Sequence, residues 1–164
     1  MIYVFTGQGG GKTIAALGLA LRSCGQGKSV VIIQFMKGRR DTGEYKAARK
    51  VGYKIYQFGR KGFVNVKNPA PLDYELAKNG FKKARSVKAD LLILDEISLA
   101  VAIGLLPESE VLNFLKKMPK SRDLVLTGRQ VPNSFLKIAD GASEIKKIKH
   151  VFDKGVKAKR GIEY

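Results

Sequence analysis

Tryptophan is absent from this 164-residue chain, cysteine and histidine occur once each, and 14 acidic residues face 31 lysines and arginines. A lone Cys24 excludes an internal disulfide, which suits a reducing compartment such as the cytosol. It falls late in an apolar helical stretch, so it reads as a small packing residue and not as a reactive thiol. Clustered cysteines and histidines, the mark of a zinc site, are missing. No apolar run reaches the ~20 residues of a membrane span, and the N-terminus has no basic leader with a cleavage site. The expected location is therefore the cytoplasm, without a membrane partner. Repeats, linkers and low-complexity segments are also lacking, so a single domain over residues 1–164 is expected, large enough to bury a core.

What the chain has in excess is positive charge, +17 in formal net value. Nine basic residues lie between Lys37 and Lys61, opposed by Asp41 and Glu44, and seven lie between Lys146 and Arg160, opposed by Asp153. Nucleic-acid binding, attraction of polyphosphate or an acidic protein, and a solvated Lys-rich surface of the thermophile kind all fit such a balance. The basic residues are scattered, few exposed aromatics interleave them, and no helix-turn-helix or RNA-recognition signature is present. Nucleic acid is thus not the expected main partner.

The richest stretch is Ile2-Tyr3-Val4-Phe5-Thr6-Gly7-Gln8-Gly9-Gly10-Gly11-Lys12-Thr13. Its β-branched and aromatic start reads as a buried strand, which breaks into glycines, then Lys-Thr, then a helical pattern. Glycines let successive backbone N–H groups converge on anionic oxygens, and the following helix N-terminus adds its dipole. Gly7, Gln8, Gly9, Gly10, Gly11, Lys12 and Thr13 are therefore read as a nucleoside-triphosphate cradle. Lys12 would neutralise phosphate charge, and Thr13 would offer its hydroxyl to Mg²⁺. A strict G-x-x-x-x-G-K-[ST] needs glycine at position 6, where Thr6 stands, so counted from Gly7 the loop is one residue short.

Downstream, the periodicity predicts a first helix from about Thr13 to Cys24, with Ile14, Leu17 and Leu21 on one stripe. The near-continuous apolar run at 29–35 predicts a strand covered on both faces. A short helix near Glu44–Lys50 and a strand near Tyr53–Phe58 follow. Residues 59–71 show no period and form the longest loop, the natural place for a second ligand. A helix from Pro71 has Tyr74, Ala77, Phe81 and Ala84 on its core face. Another starts near Pro107 with Val111, Leu112, Leu115 and Met118 inward. A strand over 123–129, a short helix over 132–139 and a last strand over 143–148 complete the pattern. Alternating strands and helices predict an α/β, three-layer fold with a mostly parallel sheet.

Ala89-Asp90-Leu91-Leu92-Ile93-Leu94-Asp95-Glu96 is the second chemical signal, four apolar residues ending in paired carboxylates. It matches the Mg²⁺-associated strand of P-loop proteins, with Asp95 or Glu96 holding the ion or a water bound to it. The strand at 123–127 runs into Gly128-Arg129, which puts Arg129 at the same sheet edge, within reach of phosphate.

These pieces together resemble the ATP:corrinoid adenosyltransferases of the CobA/CobO/BtuR type, over essentially the whole chain. The likeness is carried by Phe5-Thr6-Gly7, Gly11-Lys12-Thr13, Gln34-Phe35-Met36-Lys37-Gly38, Gly43-Glu44, Gly62-Phe63, Leu94-Asp95-Glu96, Leu126-Thr127-Gly128-Arg129 and the tail from Lys149 to Tyr164. The resemblance implies a RecA-like P-loop fold. It also implies transfer of the 5′-deoxyadenosyl group of ATP to the cobalt of a cob(I) corrinoid, with release of triphosphate. Mg²⁺ or Mn²⁺ would assist. The triphosphate would lie reversed on the loop, exposing C5′. Because cob(I) is itself a strong nucleophile, no protein nucleophile or general base is needed, and Lys12 and Thr13 carry catalysis by stabilising the leaving group. Met36, Phe63 and Asn65 would face the corrinoid, and a flavodoxin-like acidic reductase would supply electrons; a homodimer is the expected assembly.

Three departures from the family pattern stand out. Gln8 and Gly10 replace the usual Asn and Lys, Asn65 stands where the family has a tryptophan, and the N-terminal extension of many members is absent. Lone His150 reads as a structural residue of the tail. The competing reading from another class is a RecA-like ATPase acting on nucleic acid, which would use Glu96 to activate water and would release orthophosphate.

Overall fold

The computed structural model describes residues 1–149 and 155–162; His150 and the other tail residues at 151–154, 163 and 164 lie outside them. Six strands form one sheet: β1 (Ile2–Thr6), β2 (Val30–Phe35), β3 (Lys54–Phe58), β4 (Leu91–Asp95), β5 (Asp123–Thr127) and β6 (Gly141–Glu144). Their order is β3-β2-β4-β5-β1-β6, and every pairing is parallel. A parallel sheet needs cover on both faces, which is why its central strands are apolar at consecutive positions.

The cover divides cleanly by strand periodicity. Val31, Ile33 and Phe35 of β2, with Leu92 and Leu94 of β4, point to one layer; Val30, Ile32, Leu91 and Ile93 point to the other. The first layer holds α3 (Pro71–Ser86), α4 (Ile97–Ala102), α5 (Glu108–Lys116) and α6 (Asn133–Ile138), and the second holds α1 (Lys12–Gly25) and α2 (Gly43–Val51). With helices on both faces this is a three-layer α/β fold, as the sequence pattern requires. Among the described residues, no helix is long and apolar enough to cross a membrane.

Three local expectations change, and one further helix has no counterpart among them. Helix α1 meets the sheet through Ala16 and Ala20, whereas Ile14 and Leu21 are 64% and 60% exposed. Small residues allow close helix–sheet approach, so of the Ile14, Leu17 and Leu21 stripe only Leu17 packs against the core, and Ile14 and Leu21 are turned away from it. In α3 the inward positions are Asp73, Ala77, Phe81 and Ala84, and Tyr74 sits at the rim, since Asp73 turns in to meet an arginine. Helix α4, fully apolar apart from Ser98, separates the acid pair from α5 and has no polar face that would reveal its period. The last strand is Gly141–Glu144, not 143–148, because the chain leaves β6 to lie against the glycine loop.

Candidate active site

The loop between β1 and α1 is held by the segment after β6. Gly9 N–H donates to the Ile145 carbonyl at 2.7 Å, and Ile145 N–H to the Thr6 carbonyl at 2.8 Å. A Cβ on Gly7 would collide with the Ile145 carbonyl, and one on Gly9 would come within 2.7 Å of it. These glycines are thus dictated by close backbone approach. Lys12, 6% exposed, donates to the carbonyls of Gly7 and Gly9 at 2.8 Å each. Burial lowers its pKa, Glu96 and Asp95 oppose that, and Arg129 and Lys37 add to it. The ammonium is latched across the mouth of the loop, where an anion would draw it away.

Asp95, at the end of β4, is the hub of a buried polar network. Its Oδ1 accepts from Thr127 Oγ1 at 2.7 Å and Thr13 Oγ1 at 3.0 Å; its Oδ2 accepts from Lys37 Nζ at 2.7 Å and Gln34 Nε2 at 3.0 Å. Burial pushes this carboxyl up, but the Lys37 charge and the bonds from Lys37, Thr127 and Thr13 overcome it and hold the pKa below the ordinary value. Lys37 responds in the opposite sense: Asp95 outweighs the burial and raises it. Lys37 also donates to Thr13 Oγ1 at 2.9 Å. It is therefore part of the site and not of the solvated basic surface.

Glu96 follows with φ 64°, a left-handed conformation rare outside glycine. Its N–H donates to Thr127 Oγ1 at 2.8 Å, which pins the turn into α4. Its Oε2 is buried without a hydrogen-bond partner. Burial, then the Asp95 charge, raise its pKa, against the pull of Lys37, Lys12 and Arg129. An unpartnered buried carboxylate oxygen beside a phosphate loop fits a divalent cation. Among the described residues, no cluster of three or more His, Cys, Asp and Glu is present. A cation here would take few protein ligands, with phosphate and water oxygens completing its shell, as Mg²⁺ does.

Lys12, Thr13, Lys37 and Glu96 border one open cleft of about 1130 Å³, which also takes in Arg129 and Phe63. Its far wall is apolar, built from Ile14, Leu17 and Leu21 of α1 with Val51 and Tyr53 across from them, and Ile162 of the tail borders it. Of the residues expected from the sequence, Gln8 to Thr13, Glu96, Arg129 and Phe63 line the cleft. Asp95 lies just beneath, and Gly7 forms the loop base. Asn65 and Met36 are not brought to it. Asn65 Oδ1 accepts the Lys67 N–H at 3.1 Å within its own loop, and Met36 packs against the core on the α3 side. Sequence reasoning missed the chemical roles of Lys37, Gln34 and Thr127 and the cleft-facing stripe of α1. The signal for Gln34 was its lone polarity in an apolar strand; for Lys37, it was the place just past a strand's C-terminal end.

A parallel sheet with a glycine loop feeding α1 and an acid pair ending β4 defines a P-loop nucleoside-triphosphate-binding protein. The flagellar accessory protein FlaH of Methanocaldococcus jannaschii shares this fold (TM-score 0.58, 16% identity, 87% of this chain and 69% of that one). So does a KaiC-like protein of Pyrococcus horikoshii (TM-score 0.57, 19% identity, 90% and 73%). Within that class the chain belongs to the ATP:corrinoid adenosyltransferase BtuR/CobO/CobP family, whose model matches residues 1–164. The corrinoid adenosyltransferase of Escherichia coli K12 is 37% identical over 168 residues, covering 100% of this chain and 85% of its own length. The corrinoid adenosyltransferase CobA of Salmonella typhimurium is 36% identical with the same coverage.

Proposed function

We propose that this chain transfers the 5′-deoxyadenosyl group of ATP to the cobalt of a cob(I) corrinoid. The Co–C5′ bond forms with the electron pair of cob(I), the C5′–O bond breaks, and triphosphate leaves with the electron pair of the broken C5′–O bond. The observation that carries the reading, beside family membership, is the two-part cleft: a phosphate loop at one end, an apolar wall at the other. Its volume exceeds the ~300–1,000 Å³ of a typical small-molecule site, which suits two substrates side by side.

The protein's part is then to position and to stabilise charge. Lys12 turns from its two carbonyls to the triphosphate, Arg129 and the loop amides add further donors, and C5′ would point away from the loop toward the corrinoid, which Phe63 would meet. Mg²⁺ (or Mn²⁺) belongs with Thr13 and the Asp95–Glu96 pair. The orphaned Glu96 oxygen is the natural ligand, and Asp95, already bonded four times, orients the Thr13 hydroxyl. When bound, the ion offsets negative charge on the phosphates. Glu96→Gln should therefore weaken Mn²⁺ binding in the presence of ATP more than Asp95→Asn does.

The remaining basic surface is read as a docking face for an acidic, flavodoxin-like reductase in the cytoplasm, and the working unit as a homodimer, which sedimentation would check. Exposed Arg40 and Lys61, not Lys37, are the residues to reverse in testing the docking. The decisive experiment supplies ATP, Mg²⁺ and chemically reduced cob(I)alamin and identifies the phosphate product. Intact triphosphate with a light-sensitive alkylcorrinoid is expected. Orthophosphate without it would overturn the reading in favour of an ATPase.

A further inference from the structure

The loop between β3 and α3 leaves the sheet at the same edge as the phosphate loop and carries Phe63, whose side chain is fully exposed where it borders the cleft. Among the described residues, no hydrogen bond reaches from residues 61–69 to any other element. Inside the loop, only a turn around Asn65 is hydrogen-bonded. Such a segment has no intrinsic reason to hold one aromatic ring in one place.

Its base is another matter. Gly59 lies so close to Met36 that a Cβ would collide with the Met36 carbonyl carbon and the Lys37 nitrogen. One residue on, Arg60 makes a two-pronged contact with Asp73: Nε to Oδ1 at 2.8 Å and Nη2 to Oδ2 at 2.9 Å. At the other end of the loop, the Ala70 N–H donates to the same Oδ2 at 2.9 Å. The Asp73 side chain is only 1% exposed, in the first turn of α3. A single buried carboxylate therefore gathers both ends of the loop. A fork–fork guanidinium–carboxylate pair fixes orientation as well as distance.

We infer that Asp73 is a positioning residue for the corrinoid side of the cleft: with Arg60 it clasps the loop ends and so sets where Phe63 meets the substrate. The inference rests on the function proposed above. It requires that loosening the clasp harm the use of corrinoid and leave ATP untouched, because neither residue borders the cleft.

The test compares Asp73→Asn, Arg60→Met and Phe63→Ala, assayed with ATP and chemically reduced cob(I)alamin. Each clasp variant should lower kcat/KM for the corrinoid by about tenfold or more, since small misplacements of a reacting pair have effects of that size. The Kd for MgATP, by calorimetry, should stay within twofold. Trypsin should cut at Lys61 and Lys67 faster than in the wild type, a readout independent of catalysis. In a Phe63→Ala background, Asp73→Asn should cause little further loss, because both act through the same ring. Arg60→Met keeps the Asp73–Ala70 bond and carries the test if Asp73→Asn folds poorly. Corrinoid kinetics within twofold of wild type in Arg60→Met, alongside a clear defect in Phe63→Ala, would overturn the clasp alone. So would full additivity with Phe63→Ala. A silent Phe63→Ala would bring down the reading of the loop as corrinoid-facing, and the inference with it.

Discussion

Replacing Thr127 by valine removes one hydroxyl and no volume, yet that hydroxyl holds both acids of the site. Thr127 is fully buried; it donates to Asp95 Oδ1 at 2.7 Å and accepts the Glu96 N–H at 2.8 Å. A hydrogen bond to a charged group contributes about 1.5–3 kcal/mol, and an orphaned buried N–H costs about 1–3 kcal/mol. Asp95 keeps three other donors and so recovers part of the loss, which leaves a net destabilisation of about 2–4 kcal/mol. For a chain of this size that corresponds to a fall in Tm of roughly 5–15 °C. The left-handed turn at Glu96 would also lose the contact that fixes it, so the affinity for MgATP should drop together with stability. Urea unfolding followed by far-ultraviolet circular dichroism gives the first quantity, and calorimetric MgATP titration the second. Thr127→Ser keeps the hydroxyl and should restore most of both. A Thr127→Val protein within about 0.5 kcal/mol of wild type, the level of an ordinary surface change, and with unaltered MgATP binding would refute the hub.

Lys12→Ala should lower adenosyl transfer at least about a hundredfold, as loss of one charged contact to a developing anion does; a near-wild-type rate with chemically reduced corrinoid would remove Lys12 from the mechanism. Leu21→Ser should leave the urea midpoint almost unchanged, because the side chain is 60% exposed, while raising the KM for corrinoid about fivefold as apolar cleft surface is lost. A large stability loss would mean instead that the α1 stripe is core. Asp90 accepts from the Ser29 hydroxyl at 2.6 Å and the Ser29 N–H at 2.8 Å, and these two bonds depress its pKa. Its stabilisation is thus complete above the ordinary value of ~3.9 and disappears as pH falls through its lower folded value. The stability gap between wild type and Asp90→Asn, from urea midpoints, should be constant near neutrality and begin to shrink as pH falls below about 4; a gap that stays at its neutral value throughout the acid range would contradict the assignment.

Much of this molecule is legible one-dimensionally, for a physical reason in each case. The parallel sheet follows from runs such as Val30-Val31-Ile32-Ile33, because a strand covered on both faces must be apolar at successive positions. The loop from Gly7 to Thr13 announces phosphate because its backbone requirements are local. The acid pair follows from an apolar run that ends abruptly in charge. What stayed hidden depends on how elements face one another. The stripe Ile14, Leu17, Leu21 and the pair Ala16, Ala20 are equally good helical faces by spacing, and only docking of α1 on the sheet selects the alanines for the core. Lys37 looks in sequence like one basic residue among many. The tertiary structure makes it a partner of Asp95 and Thr13, residues 58 and 24 positions away along the chain. Asp73, which in sequence is one acid in the first turn of a helix, becomes the tie for a loop because β3 and α3 bring Arg60 and Ala70 to the same carboxylate. Local backbone chemistry is written residue by residue, but charge pairing and the choice between competing helix faces are settled only when distant segments share a dry interior, where an unpaired ammonium or carboxylate is too costly to leave alone.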